Sequence, residues 1–373
     1  MTFRIHVPYK IPFIILTRFF LIESDNFLNS FLPNPCTGAI RVLSILYVRT
    51  AFAAPANMIK GGILSMVYKT FLNLIASHIQ TILPDSCTVH LEQVQKNNGI
   101  LLDGICIQTP DEAVSPTIYL NSFYEAYQNG QPLTSIYQEI LNLYHRRGPF
   151  SALDIQLFQN FSYLKDKIIF RLIHASSNQT LLKTVPHIPY LDLAIVFCIY
   201  LTDDSSTQQM TALIRNSQLS VWNVSPARLQ ECAFQNTPRL FPPVIKSLAQ
   251  TIQEFPSSIP LSESEASFSD LPFYVLSNPD NLYGSACICY PDIIKDFADS
   301  QKTDLLILPS SIHEVLLTAD SPDIDYEEFS QMVFEINQSE VSVEDRLSNQ
   351  IYRYSRTNDS LSVVSHGPEP VGK

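Results

Sequence analysis

At 373 residues, with 46% apolar and 16% charged residues, the chain can bury one large core or two small ones and is too apolar for wholesale disorder. It has only 10 glycines and neither a G-x-G-x-x-G nor a G-x-x-x-x-G-K pattern, which argues against a Rossmann or P-loop nucleotide enzyme. The net charge of −12 argues against nucleic-acid binding, because an acidic surface repels the phosphate backbone.

Residues 1–65 differ from the rest, since they carry six basic and two acidic residues. Their apolar run Ile11–Ile22 is too short to span a bilayer. The codons for Lys60-Gly61-Gly62 permit the ribosome-binding sequence AAAGGAGG just upstream of Met66. We therefore expect Met66 to be the natural start and residues 1–65 to pack poorly on the rest. A cleaved leader is the alternative, although Arg49 interrupts its apolar stretch.

The elements after Met66 are predicted by periodicity and turn residues. Apolar residues at helical spacing predict a helix over Val67–Leu83. The stretch CTVHLEQVQK-NNG-ILLDGICIQT is typical of a β-hairpin around an Asn-Gly turn, and PTIYL is a third short strand. Two helices are expected over Ser122–Asn129 and Leu133–Arg146, followed by an apolar-periodic region over Asp154–His174.

The strongest strand signal is YLDLAIVFCIYL. Its continuous run of aliphatic, β-branched and aromatic residues predicts a central strand over Leu193–Ile199, buried on both faces. On this interpretation, Val196→Asp leaves an unpaired charge in the core. MTALIRN is expected to be a neighbouring strand. Ser225 with Pro226 predicts a helix start, TPRLFPP is expected to end that helix, and VIKSLAQTIQEF is predicted to be amphipathic.

The last third of the chain begins with a predicted serine-rich loop at 256–270. A hairpin is then predicted from PFYVLSN and GSACICY, a helix from PDIIKDFADSQ and a strand from TDLLILP. The chain continues with a predicted helix at DIDYEEFSQMVFEIN, a short helical turn at SVEDRLSN and a terminal hairpin at IYRYSR-TND-SLSVV. Hairpins are frequent and strict β-α-β alternation is absent, so we expect an α+β fold around a mainly antiparallel sheet. Residues 66–255 and 271–364 are expected to form one domain, with a tail at 365–373.

Seven cysteines are scattered along the chain, mostly within apolar segments. The only close pair, Cys287-Ile-Cys289, is predicted to lie on a strand and lacks the knuckle spacing that zinc sites use. This pattern predicts buried, reduced thiols in a cytoplasmic protein, with no metal and no cofactor.

Several blocks of this sequence resemble a bacterial family, domain of unknown function 5688. The blocks that carry the resemblance are PHIPYLDLAIVF, LDGICI, NTPRLFPP, YVLSN, GSACICYPDIIKDFA, DLLILPSSIHEVLL and LSNQIYRYSR. The resemblance runs from about Met66 to Val364 and covers none of residues 1–65. It implies a bacterial, cytoplasmic protein and supplies no catalytic residues.

The segment PSSIHE, at 309–314, interrupts two apolar runs and has the most chemical character in the chain. In a catalytic interpretation, Ser310 or Ser311 is a nucleophile, His313 is its base and Glu314 orients the histidine.

A structural interpretation of PSSIHE is favoured, because no glycine-flanked elbow holds either serine. Leu317 also stands where an H-E-x-x-H zinc motif needs its second histidine. The segment is then either a turn between two strands or an S-x-x-E capping box from Ser311 to Glu314. Both flanking apolar runs are expected in the core, with the two serines and His313 near the surface.

VPHIPYLD places His187 between two prolines and Asp192 ahead of the central strand. These two residues are candidates for an acid/base pair, and either is the expected partner of His313 if that histidine is catalytic. The alternative is that His187 only satisfies backbone groups at a strand entrance.

Two functional classes follow from these observations. The favoured one is a non-catalytic binding or regulatory module, with a protein partner possible, nucleic acid disfavoured by the charge and no membrane association. The other is a hydrolase whose site is built from His313, His187 and nearby carboxylates.

Overall fold

The computed structural model describes residues 3–6, 66–109, 117–145, 158–202, 209–254, 273–309 and 311–365. Several predictions lie outside these ranges. They concern the serine-rich loop, Ser310, the tail beyond Ser365 and the segment before Met66. Of that last segment, only the backbone of Phe3–His6 is described.

Helices and strands alternate irregularly along the described residues. The α-helices are α1 (Tyr68–Ile82), α2 (Asn121–Gln128), α3 (Leu133–His145), α4 (Phe161–Leu164), α5 (Gln179–Leu182), α6 (Asn216–Trp222), α7 (Pro226–Leu240), α8 (Leu248–Glu254), α9 (Ile293–Gln301) and α10 (Tyr326–Glu340). The strands are β1 (Phe3–His6), β2 (Thr88–Gln95), β3 (Leu101–Gln108), β4 (Thr117–Tyr119), β5 (Ile168–His174), β6 (His187–Tyr190), β7 (Leu193–Thr202), β8 (Gln209–Leu213), β9 (Val244–Ser247), β10 (Phe273–Ser277), β11 (Leu305–Leu308), β12 (Val315–Ala319), β13 (Tyr352–Ser355) and β14 (Ser360–Val363).

The strands form three sheets, and the pairings between these strands are antiparallel. The first sheet has the order β2-β3-β4. The second has the order β1-β8-β7-β5, with β6 also on β7, and the third has the order β14-β13-β11-β12-β10-β9. Helices packed beside antiparallel sheets make this an α+β fold, as the sequence predicts.

Strand β7 is the buried centre of the second sheet, which confirms the strongest strand prediction. Residues from Leu193 to Tyr200 are all buried. Strand β5 pairs along one side of β7 and places Arg171 opposite Val196, while β6 and β8 pair with successive parts of the other side. A run that is apolar at every position is stable here because both faces of the strand are covered.

The chain from α1 to α3 forms a unit with its own core. The helix over 68–82 is confirmed. Phe71, Ile75 and Ile79 lie on the buried face of α1, and the helix packs on the β2–β3 hairpin. The turn of that hairpin holds Asn98 at a φ of +56°, a left-handed conformation that asparagine adopts more readily than most residues.

A second apolar layer lies between α10 and the third sheet. Phe329, Val333 and Ile336 point from α10 into this layer and are buried, as their helical spacing predicts. Asp325 caps the helix, because its carboxylate accepts hydrogen bonds from the backbone N–H groups of Glu327 and Glu328.

The predicted hairpin from PFYVLSN to GSACICY is wrong in its second half. Residues 284–289 form a 3₁₀ helix instead of a strand, so Cys287 and Cys289 do not lie on one strand face. A Cβ at Gly284 would stand 2.2 Å from Ser277 Oγ and 2.3 Å from the His313 carbonyl oxygen, so only glycine fits there. This close tertiary approach, which is not visible in a local pattern, overrides the strand propensity of the segment.

Other local predictions hold with differences of detail. The TPRLFPP block ends α7 as predicted, although the helix continues through Pro238 and stops at Leu240. Buried Thr237 stabilises this turn, since its hydroxyl donates to the Ala233 carbonyl over 2.6 Å and accepts from the Phe170 N–H over 3.0 Å. VIKS forms the edge strand β9 before helix α8, so the block predicted to be amphipathic is divided between a strand and a helix. SVEDRLSN contains one short helical turn as predicted, in which the N–H groups of Asp345 and Arg346 donate to the Ser342 carbonyl over 2.9 and 3.1 Å.

Candidate functional site

The PSSIHE segment is a turn between β11 and β12, and both flanking apolar runs are buried as predicted. At the described positions of this segment, 309 and 311–314, no helix begins, so the capping-box alternative is wrong. Ser311 is 1% exposed instead of lying near the surface. Its hydroxyl accepts a hydrogen bond from the His313 N–H over 3.1 Å, and its backbone bridges to Arg346. The bridge draws the serine inward.

His313 is half-buried and held from both ring nitrogens. Nδ1 donates to the carbonyl oxygen of Asn281 over 2.9 Å, and Nε2 lies 3.5 Å from a carboxylate oxygen of Asp345. The ring is also nearly parallel to that of Tyr283, with 6.1 Å between centroids. The carboxylate partner of His313 is therefore Asp345, which the sequence does not indicate.

Glu314 is the most deeply buried carboxyl of this turn, with 4% of its surface exposed. Burial raises the pKa of Glu314 to about 7, since a charged carboxylate is poorly solvated there. The neighbouring His313 lowers this pKa and the carboxylate of Asp345 raises it. A carboxyl that titrates near neutral pH is suited to acid/base chemistry.

Neither His187 nor Asp192 is a hydrogen-bond partner of His313, and the two residues are not hydrogen-bonded to each other. The Nδ1 of exposed His187 donates to the Val185 carbonyl over 3.1 Å, as expected for a histidine at a strand entrance. Asp192 accepts hydrogen bonds from Ser348 and Tyr352 instead. Neither side chain is a hydrogen-bond partner of the other, so the predicted acid/base pair does not form here.

Asp192 lies near a histidine that the sequence analysis missed. His174, at the end of β5 and 2% exposed, has Nε2 at 3.7 Å from Asp192 Oδ2. Its Nδ1 is 2.9 Å from Ser177 Oγ and 3.4 Å from the Ser177 backbone N–H. The serine follows by three residues in a tight turn, so this contact closes a local turn and joins it to the start of β7.

A polar cavity of about 70 Å³ lies between the tip of the β2–β3 hairpin, the second sheet and the segment before Arg346. We name it the arginine cleft. Its lining is Val94, Gln95, Lys96, Asn97, Arg171, Leu181, Cys198, Thr211, Leu213, Arg215, Tyr283 and Glu344. Among the described residues, three cationic side chains and one carboxylate line this cavity, in a chain whose net charge is −12. The local charge therefore opposes the overall charge and favours an anionic group.

Arg171 is the most unusual residue of the arginine cleft. It stands in the middle of β5, where the sequence is IIFRLIH and every residue is buried. Its guanidinium lies 4.8 Å from the centroid of the Tyr283 ring, and the Tyr283 hydroxyl is 3.1 Å from Thr211 Oγ1. Because the same tyrosine stacks on His313, the PSSIHE turn supports the wall of the arginine cleft. The lone arginine in an apolar run is the sequence signal that could have indicated this site.

Asn97 contributes a buried acceptor to the arginine cleft. Its side-chain N–H donates to the Glu344 carbonyl over 2.7 Å, which fixes the orientation of the amide. Its Oδ1 is buried and accepts no hydrogen bond within the described structure, and the residue is 3% exposed. A buried acceptor without a donor is costly, so this atom favours a ligand or water that donates to it.

Burial makes the two close cysteines poor nucleophiles and poor metal ligands. It raises the pKa values of Cys287 and Cys289 to about 12 each. Within the described ranges, no group of three or more His, Cys, Asp or Glu side chains is arranged to hold a metal ion. None of the helices in those ranges combines the length and the apolar character needed to cross a membrane.

Comparison with known proteins identifies a family without a described activity. A model of the family of unknown function DUF5688 matches residues 68–356. This range begins two residues after Met66 and includes all the blocks that carry the resemblance. Searches of curated proteins and of solved structures return no significant match.

Proposed function

The chain belongs to the family of unknown function DUF5688, and we propose that it is a non-catalytic binding module whose arginine cleft holds a small anionic group. The observation that carries this proposal is the position of Arg171, which is 8% exposed in a strand of the buried second sheet and lines a cavity. Arginine presents a rigid fork of N–H donors that matches a carboxylate or a phosphate.

The energetics of burial support this assignment. A guanidinium in a sheet interior loses hydration, and an apolar side chain of similar volume would be at least as stabilising there. The contact with the Tyr283 ring offsets part of that cost. An anion in the arginine cleft would add charge-assisted hydrogen bonds, which are stronger where the local dielectric is low. Arg215 lies at the same cavity, and burial lowers the pKa of its guanidinium.

The volume of the arginine cleft limits the ligand. Pockets for drug-sized molecules measure about 300–1,000 Å³, whereas this cavity measures about 70 Å³. It therefore holds one functional group or a very small molecule, and not a nucleotide.

Anion titrations of the full chain test the proposal. Acetate and inorganic phosphate at constant ionic strength are expected to raise the melting temperature, because a ligand that binds only the folded state stabilises it. Arg171→Met is expected to abolish this shift, and Arg215→Met to weaken it by about tenfold in affinity. Arg228→Met is the matched control, since Arg228 lies on α7 and pairs with Glu231.

Two outcomes contradict the proposal. One is an equal response to both anions by the wild type and a folded Arg171→Met variant. If that variant does not fold, Arg215→Met and the wild type decide the question. The proposal is contradicted when Arg215→Met responds to the anions as the wild type does and the wild type shows no saturable binding.

A hydrolase remains the second candidate, and the titration of Glu314 near neutral pH supports it. Its acid/base groups are Glu314, His313 and Asp345, in place of the expected His187 and Asp192. A broad screen of ester and amide substrates with the wild type and Glu314→Gln tests it. Hydrolysis that disappears in a stably folded Glu314→Gln variant supports this candidate, and hydrolysis at background level in both proteins removes it.

The proposal includes a bacterial origin and a cytoplasmic location. The described cysteines are free thiols, which agrees with a reducing compartment. The acidic chain argues against nucleic acid as the partner. A protein partner remains compatible with a binding module.

A further inference from the structure

We propose that the open edge of β2 pairs with the same strand of a second copy of this chain, so that two molecules form one antiparallel sheet about a two-fold axis at Leu91. The proposal is independent of the arginine cleft. It is carried by an exposed strand edge whose backbone groups form no hydrogen bond within the described structure, and by the order of the charged residues along that edge.

Strand β2 is an edge strand with one open side. In the first sheet it pairs with β3, and within the described ranges no strand lies on its other side. The strand has eight residues, and positions 90–93 are all exposed. Proteins shorten, cover or charge such edges because the backbone groups there readily pair with another chain. This stretch is therefore long enough and exposed enough to receive another strand.

Hydrogen bonds show which residues of β2 direct their backbone groups to the open side. Residues of an antiparallel strand direct their N–H and C=O groups alternately to its two sides. The Lys96 N–H donates to the Ile100 carbonyl over 2.7 Å, so the even-numbered residues bond to β3. The Val89 N–H donates to Gln80 Oε1 of α1 over 2.8 Å, which places the odd-numbered residues on the opposite side.

Leu91 and Gln93 are the odd-numbered residues of the exposed stretch. Their backbone N–H and C=O groups therefore face the open side, and none of them has a hydrogen-bond partner there within the part of the chain that the structure describes. A second strand offers donors and acceptors at the same two-residue spacing, which is the basis of recognition by strand addition.

The order of charges along β2 selects one of three symmetric registers. With the two-fold axis at Leu91, His90 lies opposite Glu92 of the other copy. An axis at Glu92 would place two glutamates directly opposite each other, and an axis at Gln93 would place His90 opposite Lys96. Like charges directly opposite each other destabilise a sheet, whereas opposite charges and apolar pairs stabilise it. The axis at Leu91 is therefore favoured.

This register uses free backbone groups and breaks no existing contact. The two Leu91 residues exchange both backbone hydrogen bonds, and each Gln93 N–H donates to the Val89 carbonyl of the other copy. The Val89 N–H stays with Gln80. Glu92 keeps the hydrogen bond that it accepts from the Thr117 hydroxyl, since the joint needs no further bond from its carboxylate.

Leu91 is the apolar centre of the joint. Its side chain is 39% exposed, and the two-fold axis sets it directly against its own equivalent. Burying this pair adds an apolar contact to the backbone hydrogen bonds. The same relationship supplies a sharp test, because a charge introduced at position 91 faces itself in the dimer.

Charge exchange at position 91 tests the proposal. Sedimentation of the full chain is expected to show a monomer–dimer equilibrium with a dissociation constant on the order of 10 µM, as suits a small interface. Leu91→Lys and Leu91→Glu are each expected to raise this constant about tenfold. An equimolar mixture of the two variants is expected to form a heterodimer at least as tight as the wild-type dimer. Leu143→Lys is the matched control, because Leu143 lies on α3 and is 37% exposed.

Three results overturn the proposal. A wild type that is monomeric at every concentration does so, and it leaves the open edge to an extended segment of a different protein. A dimer that neither variant weakens uses another surface. Weakening in both variants without recovery in their mixture rejects the axis at Leu91. If the variants do not fold, Gln93→Pro replaces them, because it removes an N–H of the open side and none of the β2–β3 ladder. An undiminished dimer in that variant also overturns the proposal.

Discussion

Asn98 and Asn178 form two reciprocal hydrogen bonds across the boundary between the first unit and the second sheet. The Asn98 backbone N–H donates to Asn178 Oδ1 over 2.9 Å, and Asn178 Nδ2 donates to Asn98 Oδ1 over 3.0 Å. The amide of Asn98 also donates to the carbonyls of Val343 and Arg346. One asparagine at the hairpin tip therefore joins three segments and fixes one wall of the arginine cleft.

Replacing Asn98 should destabilise the fold through two separable causes. Asn98→Gly is expected to lower the free energy of unfolding by about 2–3 kcal/mol, because buried partners lose their hydrogen bonds. Asn98→Ala is expected to cost about 1 kcal/mol more, since its φ is +56° and alanine disfavours that conformation. Urea unfolding measures both, with exposed Asn129→Ala as the control. Wild-type stability in both variants would contradict the role of Asn98.

Glu314 should make stability fall as the pH rises. Its folded-state pKa of about 7 lies above the ordinary value of 4.5, so the folded chain binds more protons than the unfolded chain between these values. Glu314→Gln removes this titration. Relative to the wild type, the variant should gain on the order of 3 kcal/mol between pH 4 and pH 8. Urea unfolding at both pH values measures this gain in the free energy of unfolding. If the free energies of unfolding of the two proteins differ by the same amount at both pH values, Glu314 is not held neutral in the folded chain.

Val196→Asp should be less damaging than the sequence suggests. Val196 lies directly opposite Arg171, so both side chains point to the same face of the second sheet and an aspartate there gains a cationic neighbour. Ile195→Asp places its charge on the other face, in the main apolar core. We expect Val196→Asp to retain about 1–2 kcal/mol more stability than Ile195→Asp. It should also abolish anion binding. Equal loss of folding in both variants would refute the pairing.

Ser311 and His313 are expected to contribute to stability alone. Ser311→Ala should cost about 1 kcal/mol, because the His313 N–H loses a buried acceptor. His313→Ala should cost a similar amount, since the contacts to Asn281 and Asp345 are lost. Thermal unfolding measures both changes, with exposed Ser300→Ala as the control. Selective loss of a measured hydrolytic activity in a folded variant would instead assign catalysis to this turn.

Local sequence signals predicted the elements whose structure depends on neighbours along the chain. The helical period predicted α1 and α10, the Asn-Gly turn predicted the β2–β3 hairpin, and the continuous apolar run predicted β7. These patterns are sufficient because the spacing of apolar residues decides which face an element can bury.

Elements that depend on distant contacts were not predictable in this way. The 3₁₀ helix at 284–289 exists because Gly284 packs against residues of β10 and of the turn before β12. The continuation of α7 through Pro238 depends on a hydrogen bond between Thr237 and β5. In both cases the stabilising atoms come from segments that no local window includes.

The sequence by itself determined the fold class and the central strand, and it favoured a structural interpretation of the PSSIHE segment without deciding between a turn and a capping box. Only the tertiary structure decided which side chains meet. It paired His313 with Asp345, placed Asp192 beside His174 and brought Lys96, Arg171, Arg215 and Glu344 to one cavity. The physical reason is that spacing specifies burial, whereas a site depends on how separate strands and turns are positioned against one another.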